Sequence, residues 1–311
     1  MKVVFVVGTT ASGKSDLALE LAQKFGGAII NADSVQIYQH VLIGSAAPTK
    51  AEFEKVPHFL FQRIAPPEKI TAGIYSRLAR ETLDECRSRF KVVFVVGGTG
   101  FYFQALENGM LPVEKADEEI KAQLQAELEN VDGARNLYLE LQSRDPLVAA
   151  RISVNDHYRL VRALEIIRRT GRSLSEIEKE YKDSKPDFPF PLLKLGVQVE
   201  REELKNRVRS RTQAMLKQGL VQETQALIAR GLRDWDPLQS VGYKEAGLFL
   251  NKDPELPDLA ALEERINHST LHVAKRQRTW FQRDERILWG QQGDVPFFTS
   301  RVQEFLGESS T

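Results

Sequence analysis

A single cysteine, Cys86, stands among 311 residues, so no internal disulfide can form and no cysteine cluster is available for a metal. Its place in a helically spaced run, Ile74, Leu78, Leu83 and Cys86, predicts a small buried core residue. The five histidines follow no metal motif. His268 and His272 lie one helical turn apart but lack the carboxylate or cysteine neighbours of a zinc site, and they read as a solvated face. No apolar run approaches the ~20 residues that cross a bilayer. The sequence opens on a strand-like run where a signal peptide would carry a cationic region, so a cytoplasmic protein with no membrane partner is expected. Net charge is also missing: 43 basic residues balance 43 acidic ones, and bulk electrostatics announces no nucleic-acid partner.

Local charge says more. Five arginines and one acid lie between Tyr158 and Arg172, and five basic residues face Glu202 and Glu203 between Arg201 and Arg211. Near the end, Lys275, Arg276, Arg278, Arg283 and Arg286 face only Asp284 and Glu285, while acids gather from Glu114 to Glu129. Each cluster alone reads as a solvated helix face; the three together predict a surface for a polyanion.

Lys2 to Val7 is almost wholly β-branched and aromatic and ends in glycine, which predicts a buried parallel strand. Leu17, Ala18, Leu21, Ala22 and Phe25 recur at helical spacing, with Gly26-Gly27 as the stop. Ala28 to Ala32 reads as a second strand, and Lys91 to Gly97 repeats the heptapeptide of Lys2 to Gly8, which two equivalent central strands explain. From about Asp117 to Tyr181 the pattern is helical with no strand run, and Leu192 to Val199 returns to strand. The expected fold is α/β, with ligands outside the carboxyl ends of the strands. A discontinuous core (residues 1–115 and 190–311, with C-terminal helices) would carry an inserted all-helical lobe (116–189).

Gly8-Thr9-Thr10-Ala11-Ser12-Gly13-Lys14-Ser15 matches G-x-x-x-x-G-K-[ST] and lies between a predicted strand and a helix. Backbone N–H groups at a helix N-terminus can wrap a phosphate, Lys14 adds a positive charge, and the Ser15 hydroxyl can ligate Mg²⁺. The fold expectation sharpens to a P-loop NTPase-like parallel sheet flanked by helices. Yet Lys91 to Val96 ends in Gly97-Gly98-Thr99-Gly100 rather than in a second Mg²⁺-binding aspartate, which points away from NTP hydrolysis. Asp33-Ser34 closes the second strand, so Asp33 is the candidate acid/base.

Together the motifs resemble the tRNA dimethylallyltransferase (tRNA isopentenyltransferase) family over nearly the whole chain. Gly8 to Ser15 is similar to its G-P-T-A-S-G-K-[ST], Asp33-Ser34-Val35-Gln36-Ile37-Tyr38 to D-S-x-Q-x-Y, and Gly97 to Tyr102 to G-G-T-G-L-Y. Asn155-Asp156, Arg159, Arg162 and Ala163-Leu164-Glu165 resemble N-D-x-x-R-x-x-R-A-L-E; Val241-Gly242-Tyr243-Lys244-Glu245 and Ala274-Lys275-Arg276-Gln277-Arg278-Thr279-Trp280-Phe281 follow. Thr9, Ala47 and Leu271 depart from the pattern, the last two by removing positive charge. Without a terminal Cys/His pair pattern, the resemblance implies a bacterial-type member.

The resemblance implies transfer of a dimethylallyl group from dimethylallyl diphosphate to N6 of the adenine 3′-adjacent to the anticodon in tRNA, with Mg²⁺, by a monomer that grips the anticodon stem-loop. Asp33 would orient the amine and take its proton, or else serve as an outer-shell Mg²⁺ carboxylate. Thr10 would hold the bridging oxygen. Lys14, Ser15, the loop amides and Arg211 would clamp the pyrophosphate, and Arg207 and Arg211, four residues apart, share a helix face. Asp33, Ser34, Val35, Gln36 and Thr99 would meet the flipped adenine. Arg159, Arg162, Lys275, Arg276 and Arg278 would hold the RNA backbone, with Gln277 and Gly242 in the same matched segments. Gln239, Tyr243 and Trp280 would read or stack on bases, or else Tyr243 and Trp280 pack in the protein. A small-molecule kinase would leave the basic clusters idle, an enzyme acting on free adenine nucleotides would need no tRNA grip, and a non-catalytic RNA-binding module would not need Asp33.

Overall fold

The computed structural model describes residues 1–111, 117–185 and 187–307. The chain divides into two compact units: Met1–Asn108 with Phe188–Thr311, and Gly109–Asp187. The boundary expected at residues 115–116 lies outside the described residues.

In the first unit the chain runs β1 (Lys2–Gly8), α1 (Lys14–Lys24), β2 (Ala28–Asn31), α2 (Lys50–Lys55), β3 (His58–Phe59), α3 (Ala72–Cys86), β4 (Val92–Gly97) and α4 (Gly100–Asn108). The second unit contributes α5 (Glu118–Leu128), α6 (Gly133–Arg144), α7 (Pro146–Ala149), α8 (His157–Thr170) and α9 (Leu174–Ser184). The first unit then resumes with β5 (Leu192–Gln198), α10 (Arg201–Gln218), α11 (Leu220–Ala229), a 3-10 turn at Asp236–Gln239, α12 (Tyr243–Leu250), α13 (Leu259–Phe281), β6 (Ile287–Gln291) and α14 (Val295–Leu306).

The six strands form one parallel sheet in the order β3-β2-β4-β1-β5-β6. Helices cover both faces, which is why β1 and β4 read as unbroken apolar runs rather than alternating ones. The repeated heptapeptide occupies these two neighbouring strands, offset by one residue, with Val3 beside Val93 and Val7 beside Gly97. Phe5, Val93 and Val95 pack toward α3, α4 and α11 to α13, while Val4, Val6, Phe94 and Val96 pack toward α1 and α14. Cys86 is fully buried at the end of α3, but Ile74 in its first turn stays at the surface.

The second unit is helical throughout its described residues and closes on its own core of Leu124, Leu137, Leu141, Leu160 and Leu164. Asp156 caps α8 by accepting the Arg159 amide at 3.2 Å, and Gly171 ends it at φ 69°.

Candidate active site

The loop expected to cradle the diphosphate lies where β1 gives way to α1. A Cβ on Gly8 would stand 2.8 Å from Ser12 Oγ and 3.1 Å from the Val197 carbonyl, so only glycine lets the chain turn there. Gly13, at φ +82°, caps α1 and leaves its first amides free for an anion. Ser12 is buried, and its hydroxyl has no hydrogen-bond partner among the described residues. Lys14 is also buried, and its Nζ donates to the Thr9 carbonyl at 3.0 Å. Burial lowers the Lys14 pKa to about 8; the nearby Asp33 carboxylate opposes that shift and Arg211 adds to it.

Asp33 follows β2, and its position is set by Asn31, which sequence reasoning missed. The buried Asn31 amide accepts the Asp33 N–H at 2.9 Å and donates to the Asp33 and Leu60 carbonyls, each at 3.1 Å. Asp33 Oδ1 in turn accepts the amides of Val35 at 2.8 Å and Gln36 at 3.3 Å, which fixes the carboxylate plane. A cavity of about 530 Å³ joins Thr10, Lys14, Ser15, Asp33, Arg207 and Arg211. Arg211 is half-buried, and burial lowers its pKa against the pull of Asp33. Arg207, one turn earlier on α10, donates from Nε to the Ala11 carbonyl at 2.8 Å and thereby holds the phosphate loop itself. Its four-residue spacing from Arg211 was the available signal.

One wall of the cavity is made by Ser45 to Pro48, in a segment, 42–48, that is gripped from both sides. Gln36 Nε2 donates to the carbonyls of Ser45 at 3.0 Å and Ala46 at 2.9 Å, and Arg211 Nη2 reaches Ser45 O at 3.4 Å. From α11, Glu223 accepts the amides of Leu42 at 3.1 Å, Ile43 at 3.0 Å and Gly44 at 3.4 Å, and the Tyr243 hydroxyl donates to it while accepting the Gly44 N–H at 3.0 Å.

These contacts correct several expectations. Tyr243 is fully buried and Gly242 donates its amide to Glu245 at 2.7 Å, so neither presents a surface to RNA. Both Gln36 Nε2 hydrogens are spent on the wall, which leaves only Oε1, at the cavity, to accept from a base. Val35 packs half-buried against the core, and Trp280 packs beside Gly100 and against Phe101. Thr99 Oγ1 accepts the Ser34 amide at 3.0 Å and lies 3.2 Å from Ser34 Oγ, so the two hydroxyls form one pair near Asp33. Gln277 reaches the phosphate loop: its Oε1 accepts Thr10 N–H at 2.7 Å and its Nε2 donates to Gly98 O at 3.0 Å.

The basic clusters also separate. In the second unit Arg162 is bound to buried Glu165, Arg168 to Glu127 and Glu140, Arg172 to Glu180, and the exposed Arg159 pairs with Asp156 at 3.4 Å. That stretch is largely neutralised within its own unit, which corrects its reading as a polyanion surface. In contrast Lys275, Arg276 and Arg278 on α13 are exposed, with no ion pair among the described residues. Gln239 is exposed and donates to Arg233 O at 3.1 Å.

No group of three or more His, Cys, Asp or Glu side chains among the described residues could hold a metal. The cavity does present the exposed Ser15 hydroxyl with the Asp16 and Asp33 carboxylates, oxygen groups of the kind that magnesium carried by a diphosphate can use.

Comparison with known proteins fits this geometry. A family model described as IPP transferase matches residues 36–284. The chain is 49% identical over 287 residues to a tRNA dimethylallyltransferase of Bdellovibrio bacteriovorus, covering 92% of each chain. It is 39% identical over 289 residues to one of Geobacter sulfurreducens, covering 93% of this chain and 91% of the other. Among solved structures, a full-length tRNA isopentenylpyrophosphate transferase of Bacillus halodurans superposes with TM-score 0.72 at 30% identity, covering 98% of this chain and 97% of its own. A eukaryotic dimethylallyltransferase acting on tRNA gives TM-score 0.80 at 27% identity, covering 97% of this chain and 77% of its own.

Proposed function

The chain belongs to the IPP transferase family and is a tRNA dimethylallyltransferase, and we propose from that premise how its own residues perform the transfer. The observation that carries the proposal is the single cavity where a phosphate loop with a buried lysine meets an oriented aspartate and Arg211. The acceptor is N6 of the adenine 3′-adjacent to the anticodon, and the donor is dimethylallyl diphosphate.

The amine is a weak nucleophile because its lone pair is delocalised into the ring. Asp33, held by two backbone amides through Oδ1, orients the N6 hydrogens and accepts the proton. The new N6–C1 bond forms as the C1–O bond of the donor breaks, and the electron pair leaves with pyrophosphate. Lys14, Arg211, the Thr10 hydroxyl and the free amides at the start of α1 receive that charge. Ser15 would hold magnesium, which when bound would supply further neutralisation of the diphosphate charge. A stacked base cannot reach this cavity, so the adenine is turned out of the anticodon loop to stand beside the Ser34–Thr99 hydroxyl pair. Lys275, Arg276 and Arg278 on α13 contact RNA phosphates. The enzyme acts as a cytoplasmic monomer.

Asp33→Ala tests the central assignment. Transfer should fall by about 10²–10⁴-fold while tRNA affinity stays within a few-fold, as read by single-turnover kinetics and filter binding. A large loss of tRNA binding with transfer intact at saturation would reject Asp33 as the base.

A further inference from the structure

Gln277 stands between two exposed cations of α13, Arg276 and Arg278, yet its amide faces the donor site rather than solvent. The two ends of that amide are chemically assigned. Thr10 N–H can only donate, so the atom 2.7 Å away is Oε1; Gly98 C=O can only accept, so the atom 3.0 Å away is Nε2. The fit is close: a Cβ on Gly98 would lie 2.3 Å from Nε2. The Thr9–Thr10 peptide is consequently pinned at both ends. Its N–H points to Gln277, and its C=O accepts from Lys14 Nζ at 3.0 Å and from the Ser12 amide at 3.2 Å.

We infer that Gln277 is a positioning residue for the pyrophosphate site: by fixing the plane of the Thr9–Thr10 peptide it sets where the Lys14 ammonium and the Ser12 turn stand before the donor arrives. This role differs from a contact to tRNA, which its sequence neighbours suggest. It also links α13, which carries the exposed cations, mechanically to the diphosphate loop. Thr10 N–H is withheld from the phosphate, so the cradle is made by later amides of the loop and the start of α1. The inference rests on reading Gly8 to Ser15 as the pyrophosphate cradle.

Full-length wild type, Gln277→Ala, Gln277→Glu and Gln277→Asn are titrated with pyrophosphate and Mg²⁺ by calorimetry, and separately with unmodified tRNA. A carboxylate still accepts Thr10 N–H, whereas the asparagine side chain is one methylene too short to span both partners. Q277A and Q277N should bind pyrophosphate about tenfold more weakly, with tRNA affinity within about twofold. Q277E keeps an acceptor for Thr10 N–H but sets a carboxylate oxygen against the Gly98 carbonyl and a negative charge beside the anion site, so it should also bind pyrophosphate more weakly than wild type. In steady state the alanine variant should raise KM for the donor without raising KM for tRNA. Unchanged pyrophosphate affinity in Q277A, with weakened tRNA binding, would overturn the inference and return Gln277 to the RNA interface. If Q277A does not fold, wild-type pyrophosphate affinity in Q277N overturns it equally well. A wild-type protein that fails to bind pyrophosphate at all rejects the loop assignment itself, a result distinct from either.

Discussion

Lys14 is the most consequential single charge in the site. Its pKa of about 8 makes the ammonium the dominant form below that pH, and this is the form that attracts the donor. As pH rises through 8 the group becomes neutral in the free enzyme. Donor kcat/KM, which reports free-enzyme ionisations, should fall above about pH 8. Lys14→Arg, whose guanidinium stays charged, should remove that limb from the profile even if it lowers the plateau; an unchanged limb would assign it to another group. Lys14, Ser15 and Asp33 were legible because their chemistry depends on neighbours in the sequence: a glycine loop after a strand, a carboxylate at a strand end. Asn31, Arg207 and Gln277 were not legible in these roles. Arg207 works on Ala11 from 196 residues away, Gln277 on Thr10 from 267, and no local pattern encodes such a pairing. Tyr243 was left between stacking and packing for the same reason.

At the level of elements, the wall at 42–48 depends on α11 and α12 through Glu223 and Tyr243. Burial, then Glu223, raises the Tyr243 pKa far above that of a free phenol, so the hydroxyl remains a donor at every working pH. Tyr243→Phe keeps the packing but leaves the Gly44 amide only its long bond to Glu223, at 3.4 Å, and takes a donor from that carboxylate. It should cost about 1–2 kcal/mol of stability and raise the donor KM several-fold, as thermal unfolding and steady-state kinetics would register. A change in tRNA KM alone would contradict the burial of this ring.

A second junction lies deeper. Lys194 on β5 is buried and donates to Glu107 of α4 and Asp284 before β6, each at 2.5 Å. Hydrogen bonds from Arg286 and Lys194, against the cost of burial, lower the Asp284 pKa to about 2. A depressed carboxyl stabilises the fold above its unfolded pKa near 4, and that contribution is lost as pH falls toward 2. Acid unfolding should therefore steepen between about pH 4 and 2, and Lys194→Met should cost about 3 kcal/mol by leaving Glu107 and Asp284 with only the more exposed Arg286 as partner. The sequence betrayed none of this, since Lys194 sits in an otherwise apolar strand pattern and its partners are 87 and 90 residues away.

For the molecule as a whole, zero net charge hides an uneven distribution. Counting charges in sequence found three basic clusters, but only geometry separates the internally paired arginines of α8 from the exposed cations of α13. Lys275→Ala should therefore weaken all tRNA substrates and lower the slope of log K against log salt by about one, whereas Arg162→Ala should chiefly destabilise the second unit. An unchanged salt slope would remove Lys275 from the phosphate contacts. The discontinuous architecture was readable because helical periodicity replaces strand runs between two stretches of β-branched residues. Strand order was not readable, since β1 and β4 carry the same heptapeptide and nothing in either says that they lie side by side.

The central claim is tested most directly by incubating the protein with Mg²⁺, dimethylallyl diphosphate and unmodified tRNA, digesting the RNA, and weighing its nucleosides. One adenosine per tRNA, adjacent to the anticodon, should gain C5H8, with no product from free AMP and none from the Asp33→Ala protein. Product from AMP alone, or ATP turnover without modified RNA, would contradict the account.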